Sequence, residues 1–283
     1  MTCSCVDLIE SIDRTDDGSD DRLPGWRSTL SDPRSMQCHY QPIFDVRTMD
    51  VVGHEALLRV TDRETDATIP PLELFAAAMR GGWHQALDQA ARRTAILGVT
   101  GWLGGGQLFV NFLPSSIYNP SVCLRTTEAA ATEAGVPMAQ LVFEVVESEH
   151  ITSVPRLRAI FDRYHEMGAK VALDDLGADH ATFGVAEALR PDIMKIDGAI
   201  ARRLPEADAS SFVRRAVALA GSTGGRVLIE GVEEPHQLER AVELGVDLAQ
   251  GYLLGRPVPA PTPATPVAPR ASSTLRSGRA APS

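Results

Sequence analysis

Residues 170–177 read KVALDDLG, and this stretch decides how the rest of the chain is interpreted. The apolar run Val171, Ala172 and Leu173 has the length and composition of a buried strand. The acidic pair Asp174 and Asp175 follows it directly, at the point where the strand is expected to end. In α/β proteins the carboxyl ends of strands are the usual place for functional side chains.

Similar apolar runs recur along the chain at intervals of roughly 20 to 35 residues, which is the rhythm of repeated βα units. We predict strands at 39–44, 51–56, 107–111, 141–146, 170–174, 193–196, 226–229 and 247–250. Helical patterns separate the later strands. The predicted fold is therefore of the α/β class. Eight strand candidates, the later ones each followed by a helix, favour a closed TIM-type β/α barrel over an open sheet, although spacing by itself does not prove closure.

Two of the intervening segments show the spacing of an amphipathic helix. Apolar residues at i, i+3, i+4 and i+7 define one face in each of them. The two predicted faces are Leu157, Ile160, Phe161 and Tyr164, and Leu72, Phe75, Ala76 and Met79.

Polar residues fall at or just beyond the ends of seven predicted strands. They are Glu55, Asn111, Glu144, Asp174 with Asp175, Lys195, Glu230 and Gln250. A single acidic residue after a strand is usually a turn or helix cap. Seven coincidences favour one shared site, because the strand ends of a β/α barrel meet at a common face.

The residue types at these positions indicate a site for divalent cations. Carboxylates, together with the amide oxygen of Asn111, are hard ligands that suit Mg²⁺ or Mn²⁺ rather than Zn²⁺. Four carboxylates in one pocket need compensation, which two such ions would provide while activating a water for attack on a phosphodiester. Lys195 is then the fixed positive charge beside that water.

Composition limits the other functional classes. The formal net charge of −10 over 283 residues argues against a partner that is a nucleic-acid polymer. The chain shows neither a signal peptide nor a run of eighteen apolar residues, so we expect no membrane association and a cytoplasmic location. Cys3 and Cys5 lack the partners of a zinc site and are expected to be free thiols.

The two ends of the chain differ in composition from the middle. Residues 1–36 are polar and form a predicted flexible extension, and residues 259–283 are a predicted disordered tail rich in Pro, Ala and Ser. The ordered domain is predicted to span residues 37–258.

The motifs in this middle region, taken in order, resemble those of EAL domains. The matching motifs are Tyr40-Gln41-Pro42-Ile43, Glu55-Ala56-Leu57-Leu58-Arg59, Asn111, Glu144-Val145-Val146-Glu147, Asp174-Asp175-Leu176-Gly177, Lys195-Ile196-Asp197, Glu230-Gly231-Val232-Glu233 and Gln250-Gly251-Tyr252. Each tripeptide alone is a weak signal, whereas the ordered set is specific. The resemblance implies a phosphodiesterase that cleaves cyclic di-GMP to linear pGpG.

The resemblance also implies a role for each matching residue. The metal ligands would be Glu55, Asn111, Glu144, Asp174 and Asp175. Lys195 and Glu230 would handle the attacking water, so the catalytic group comprises these two with Glu55, Asp174 and Asp175. Substrate contacts are implied for Gln41, Arg59, Asp197, Glu233 and Gln250, the last of which also touches the water network, and Glu147 would anchor the loop after the acidic pair.

That loop departs from the family pattern. Where the family commonly reads D-D-F-G-x-G-Y-S-S-L, this chain has Asp179 in place of the second glycine and His180 in place of the tyrosine. In the family the loop couples metal binding to dimerisation, so we expect a weaker homodimer through residues 176–184. A non-catalytic cyclic di-GMP receptor that signals through protein contacts is the alternative function, and a regulatory protein partner is compatible with both.

Overall fold

The structure, a computed structural model, describes residues 34–62, 65–145, 153–177, 183–204 and 206–261. Most of both predicted tails, at 1–33 and 262–283, lies outside these ranges, as do Glu147, Asp179 and His180. None of the helices in the described ranges is long and apolar enough to cross a membrane.

Ten strands are found in the described residues, and eight of them close into a barrel. Their bounds are β1 Met36–Asp45, β2 Val51–Thr61, β3 Thr68–Ile69, β4 Gln107–Phe112, β5 Leu141–Val145, β6 Lys170–Leu176, β7 Ile193–Ile196, β8 Arg226–Ile229, β9 Leu248–Ala249 and β10 Val258–Pro259. The sheet returns to itself because β1 pairs with both β2 and β9. The short strands β3 and β10 add to its edges. The predicted TIM-type barrel is confirmed.

The first strand runs against the others. β1 is antiparallel to both of its neighbours, whereas each successive pair from β2 through β4 to β9 is parallel. Only residues 46–50 connect β1 to β2, and a parallel pair needs a crossover of a dozen residues or more. The expectation that every strand points to one common face is therefore wrong for β1.

Strand β2 is also longer than predicted, so Glu55 lies in its middle rather than at its end. The strand continues to Thr61 because β1 still offers a pairing partner there, with Met36 opposite Val60. The barrel rim is consequently higher on this side of the site.

Nine α-helices surround the barrel in the described residues. They are α1 Pro71–Gly81, α2 His84–Leu97, α3 Pro120–Cys123, α4 Arg125–Ala134, α5 Val154–Glu166, α6 Phe183–Leu189, α7 Gly198–Arg202, α8 Ala207–Thr223 and α9 Pro235–Glu243. Helix α5 buries the four residues that its spacing predicted: Leu157, Ile160, Phe161 and Tyr164.

The predicted face of α1 is wrong. Its buried residues are Leu74, Ala77 and Ala78, whereas Leu72 is 70% exposed and Met79 is 45% exposed. Small alanines permit a close approach of the helix to the barrel, and the small cluster around Val60 accepts Leu74. Periodicity alone favours the face with the larger side chains, and it cannot detect that the smaller ones pack better.

The barrel interior contains an apolar layer directly beneath the site. Its residues are Ile43, Phe109, Val142, Ala172, Ile193, Leu228 and Leu248. Side chains two positions apart on a strand point to the same face. On six parallel strands the residue two positions further on is therefore also directed inward, and these residues are Asn111, Glu144, Asp174, Lys195, Glu230 and Gln250. In the reversed β1 the equivalent residue precedes Ile43 and is Gln41.

Candidate active site

Lys195 occupies the centre of the predicted site. Its side chain is 1% exposed, and its Nζ atom lies within 4 Å of four carboxylates. The distances are 2.7 Å to Glu230 Oε1, 3.0 Å to Asp174 Oδ1, 3.1 Å to Glu144 Oε1 and 3.7 Å to Glu55 Oε1. One ammonium therefore faces four carboxylates, which leaves a surplus of negative charge in a buried region.

The pKa values of these groups reflect that imbalance. Burial is the largest effect on Glu144 and Glu230 and raises the pKa of each well above its usual 4.5, although Lys195 acts in the opposite direction. Burial likewise raises the pKa of Asp174. For Lys195, burial acts to lower the pKa, but Asp174, Glu144, Glu230 and Glu55 together raise it well above 10.5. The lysine is charged, and the carboxylates need more positive charge than it provides.

The donor set fits divalent metal ions. Glu144 is fully buried, and its Oε2 atom has no hydrogen-bond partner among the described residues. A buried carboxylate oxygen without a partner is costly, and a cation would remove that cost. Ligand atoms of Asp174, Asp175 and Glu230 lie within 4.8 Å of one another, close enough to share an ion. All of these ligands are hard oxygen donors, as Mg²⁺ and Mn²⁺ prefer.

Two amide side chains hold Glu55 from either side. Gln250 Nε2 donates a hydrogen bond of 2.7 Å to Glu55 Oε2, and Asn111 Nδ2 donates one of 3.4 Å to Oε1. The structure thus brings together eight residues from seven strands and the turns after them. They are Glu55, Asn111, Glu144, Asp174, Asp175, Lys195, Glu230 and Gln250.

A cleft of about 320 Å³ opens from this cluster. Three predicted substrate contacts line it: Gln41, Glu233 and Gln250. The Nε2 atom of Gln41 donates to the carbonyl of Gly255 at 3.0 Å, which fixes the amide at the rim. Leu57 and Tyr252 also line the cleft and were not predicted, although both belong to motifs that the sequence displays.

Two glycines let the turns after β7 and β8 approach each other closely. Gly231 has a φ of +62°, and a Cβ atom there would lie 2.9 Å from the Cα atom of Gly198. Both glycines line the cleft, three residues after Lys195 and one after Glu230. The close approach of these two turns sets the position of both charged residues.

Two predicted site residues in the described ranges, Arg59 and Asp197, belong neither to the cluster nor to the lining of the cleft. Arg59 donates through Nη1 to the Leu58 carbonyl at 2.9 Å and lines a neighbouring apolar cavity of about 270 Å³. Asp197 caps helix α7, since its Oδ1 atom accepts from the Ala199 amide at 2.7 Å. Glu147 lies outside the described residues.

Comparison with known proteins identifies the architecture. The EAL domain family model matches residues 27–257. Among curated proteins, the cyclic di-GMP phosphodiesterase PdeL of Escherichia coli K12 is 30% identical over 229 residues, covering 77% of this chain and 61% of PdeL. PdeF of the same organism, also named a cyclic di-GMP phosphodiesterase, is 27% identical over 223 residues, covering 77% of this chain and 29% of PdeF.

Solved structures agree with the family match. BlrP1 of Klebsiella pneumoniae, in complex with calcium and cyclic di-GMP, superposes with a TM-score of 0.73 at 27% identity, over 81% of this chain and 58% of that one. A manganese complex of BlrP1 with the same nucleotide gives a TM-score of 0.71.

The chain is shorter than most of these relatives. It spans 27% to 34% of the length of five further curated proteins, so it matches one part of each of them. The family model nevertheless covers well over half of this chain. The chain belongs to the EAL domain family.

Proposed function

We propose that this protein is a metal-dependent phosphodiesterase that hydrolyses cyclic di-GMP to linear pGpG. The observation that carries the proposal is the buried cluster of four carboxylates around Lys195, in which a Glu144 oxygen has no hydrogen-bond partner among the described residues. Such an arrangement costs stability unless divalent ions enter it. The BlrP1 complexes with calcium or manganese and cyclic di-GMP support the same assignment.

Five residues are proposed to hold two Mg²⁺ or Mn²⁺ ions: Glu55, Asn111, Glu144, Asp174 and Asp175. When bound, the ions neutralise the carboxylates and activate a water for in-line attack on a phosphodiester. Asp175 adopts a left-handed φ of +53°, a region that Asp tolerates better than most residues. This backbone turn presents the two adjacent acidic side chains to the same region of the site.

Lys195 and Glu230 are proposed to act on the attacking water. Their charged atoms are 2.7 Å apart, so the ammonium holds the Glu230 carboxylate in place beside the acidic pair. Glu230 can accept a proton from the water, and Lys195 can stabilise charge that grows on the phosphoryl oxygens. Gln250 orients Glu55 and completes the wall of the site.

The nucleotide is proposed to occupy the cleft that Gln41 and Glu233 line, with Arg59 and Asp197 at its margins. Gln41 presents an amide to the cleft, and Glu233 is exposed there. The net charge of −10 makes the metal ions the main attraction for an anionic substrate.

Product analysis tests the proposal directly. Purified protein incubated with cyclic di-GMP and Mg²⁺ or Mn²⁺ should release pGpG, and Ca²⁺ should inhibit because its looser coordination misplaces the water. Glu55→Ala or Asp174→Ala should abolish turnover while the fold is retained, as judged by circular dichroism. Hydrolysis that persists in a chelator would contradict the metal requirement.

The same experiment separates the enzyme from the receptor. A wild-type protein that binds cyclic di-GMP but releases no pGpG would favour the receptor function. We further propose a homodimer through the face near residues 176–184, weaker than is usual for the family. Sedimentation showing only monomer at high concentration would contradict this assembly.

A further inference from the structure

A buried ion pair lies outside the site and contacts the turn that follows one of the proposed metal ligands. Asp88 and Arg92 are one turn apart on α2 and are 2% and 1% exposed. The Nη2 and Nε atoms of Arg92 lie 2.8 and 3.0 Å from Asp88 Oδ2. A buried pair of this kind seldom adds net stability, so a role for it is sought in the contacts that Asp88 and Arg92 make with other residues.

Asp88 bonds the backbone directly after β4. Its Oδ1 atom accepts from the Leu113 amide at 2.9 Å, and its Oδ2 atom lies 2.5 Å from the Ser116 hydroxyl. The Ser116 hydroxyl also lies 2.7 Å from the Leu113 carbonyl, so it bridges the carboxylate and the turn. The turn over residues 113–116 is thereby closed around one carboxylate.

A second residue of α2 and one residue of α5 also bond this turn. Gln85 of α2 donates to the Ser116 carbonyl at 2.9 Å, and Arg156 of α5 donates to the Ile117 carbonyl at 3.3 Å. Arg92 in turn bonds Thr127 of α4 through Nη1. Helices α2 and α5 therefore bond the backbone that follows Phe112, and α4 joins the same network through Arg92.

Asn111 is the residue that this anchoring affects. It is the second-to-last residue of β4, two positions before Leu113, and its side chain faces Glu55 across the site. Within the strand, pairing of β4 with β5 holds Asn111 opposite Glu144. Beyond Phe112, the Leu113 amide donates its hydrogen bond to Asp88 instead of to a neighbouring strand. A shift of the turn would therefore move the Asn111 amide relative to the carboxylates.

We propose that Asp88 and Ser116 are positioning residues that set the Asn111 amide for metal binding. The inference rests on the proposed function, because it assumes that Asn111 is a metal ligand. Groups behind metal ligands commonly change metal affinity by about 10- to 100-fold when they are removed. Asp88 and Ser116 do not bond the Asn111 side chain. They hold the backbone turn that follows Asn111 and so affect its position indirectly.

Two conservative variants at opposite ends of the network separate positioning from mere stability. Ser116→Ala removes the hydroxyl on the turn, whereas Thr127→Val removes the contact on the far side of Arg92 and leaves the turn bonded. If the network only stabilises the fold, both variants lower Tm and neither changes the Kd for Mn²⁺. If it positions Asn111, Ser116→Ala raises that Kd about tenfold, and Thr127→Val leaves it unchanged.

Free Mn²⁺ measured by electron paramagnetic resonance reports binding without turnover. The decisive comparison is Ser116→Ala in an Asn111→Ala background, where its effect on Mn²⁺ affinity should vanish because both substitutions act on the same ligand. Asp88→Asn is the more severe variant and is compared only where it remains folded. Arg93→Gln is the matched control, since Arg93 joins the same two helices through an exposed pair with Glu133 and does not contact the turn.

The outcomes distinguish this inference from the proposed function. Unchanged Mn²⁺ affinity in Ser116→Ala, or the same loss with and without Asn111, overturns the positioning role even if the wild type hydrolyses cyclic di-GMP. Weaker Mn²⁺ binding in Ser116→Ala that disappears in the Asn111→Ala background supports it even if no pGpG is formed. A wild type that binds no Mn²⁺ contradicts both.

Discussion

At the residue scale, Lys195 has to balance more negative charge than one ammonium carries. It is one of two lysines in the chain, and the other, Lys170, begins the neighbouring strand β6 at the opposite end of the barrel. The two therefore differ in environment while sharing the same chemistry. This pair allows the role of the site ammonium to be tested with an internal control.

Lys195→Ala should reduce kcat by roughly 10²- to 10³-fold with little change in cyclic di-GMP affinity, because the ammonium acts on charge that develops in the transition state. In a chelator, the variant should also melt at a lower temperature than the wild type, since four carboxylates lose the one cationic side chain that pairs with them among the described residues. Saturating Mn²⁺ should restore most of that Tm but not the turnover. Calorimetry and pGpG production in one metal buffer provide the measurement.

Lys170→Ala should leave affinity and turnover near the wild-type values. If Lys195→Ala instead lost nucleotide binding and Tm in parallel even with Mn²⁺ present, the lysine would have a structural role. The two variants have the same change in formal charge, so a difference between them cannot come from net charge.

Gly231 is the second position at which a single residue controls the site. Gly231→Ala should lower the free energy of unfolding by about 1–3 kcal/mol, because the residue has a positive φ and its Cβ atom would press on Gly198. Gly221 lies within α8 and a Cβ atom there meets nothing within 4 Å, so Gly221→Ala should stabilise by about 0.5–1 kcal/mol. Urea denaturation of both variants checks the difference, and equal effects would show that the close approach is not needed.

At the scale of the element, helix α1 shows how packing selects between two apolar faces. The helix begins at Pro71, and Gly82 follows it with a φ of +75°, so its two ends are signalled by the sequence. Its orientation is not signalled, since one face has Leu72, Phe75 and Met79 and the other has Leu74 with two alanines. The apolar cluster that contains Val60 of β2 and Trp83, at the start of α2, accepts the second face.

Leu74→Ala should therefore cost about 2–5 kcal/mol of unfolding free energy, because the side chain is fully buried and a cavity would remain. Met79→Ala removes a side chain of similar size from the exposed face and should change stability by less than about 0.5 kcal/mol. Chemical denaturation of the two variants measures both values. A larger loss for Met79→Ala would mean that the predicted face is the buried one after all.

At the scale of the whole molecule, stability should depend on pH through the site. The raised pKa values of Glu144, Glu230 and Asp174 mean that the folded protein holds protons more readily than the unfolded chain. Each such group contributes stability that is fully present below its usual pKa, 4.5 for Glu144 and Glu230, and that is lost as pH rises through the raised value. The raised pKa of Lys195 affects stability only at alkaline pH. Its contribution to the free energy of unfolding is fully present below 10.5 and is lost as pH rises through the raised pKa.

In a chelator, the protein should therefore have a higher free energy of unfolding at pH 5.5 than at pH 7.5. Glu144→Gln should flatten this dependence, because it removes one of the titrating groups while the rest of the charged surface is unchanged. With saturating Mn²⁺ the order should reverse, since metal binding requires deprotonated ligands. Urea denaturation at both pH values tests this, and a Glu144→Gln variant with the wild-type pH dependence would contradict it.

The sequence alone was sufficient for the barrel and for the polar layer at its mouth. Apolar runs such as 193–196 and 226–229 are short and strongly patterned, and both agree with the observed strands to the residue. Each run has a polar residue at or near its carboxyl end. Because side chains alternate between the two faces of a strand, the position of this residue in the run shows that its side chain is directed inward, at the mouth of the barrel. Lys195 and Glu230 could thus be assigned to one site without coordinates.

The tertiary structure decided which neighbours those residues acquire. The reversal of β1 and the buried face of α1 depend on how surfaces fit together, which local periodicity does not encode. The contacts of Lys195 with four carboxylates, and of Asp88 with the turn after Asn111, join residues that are from 21 to 140 positions apart. Such pairings arise only when the barrel closes, because burial and charge balance are properties of the assembled molecule rather than of any segment of its sequence.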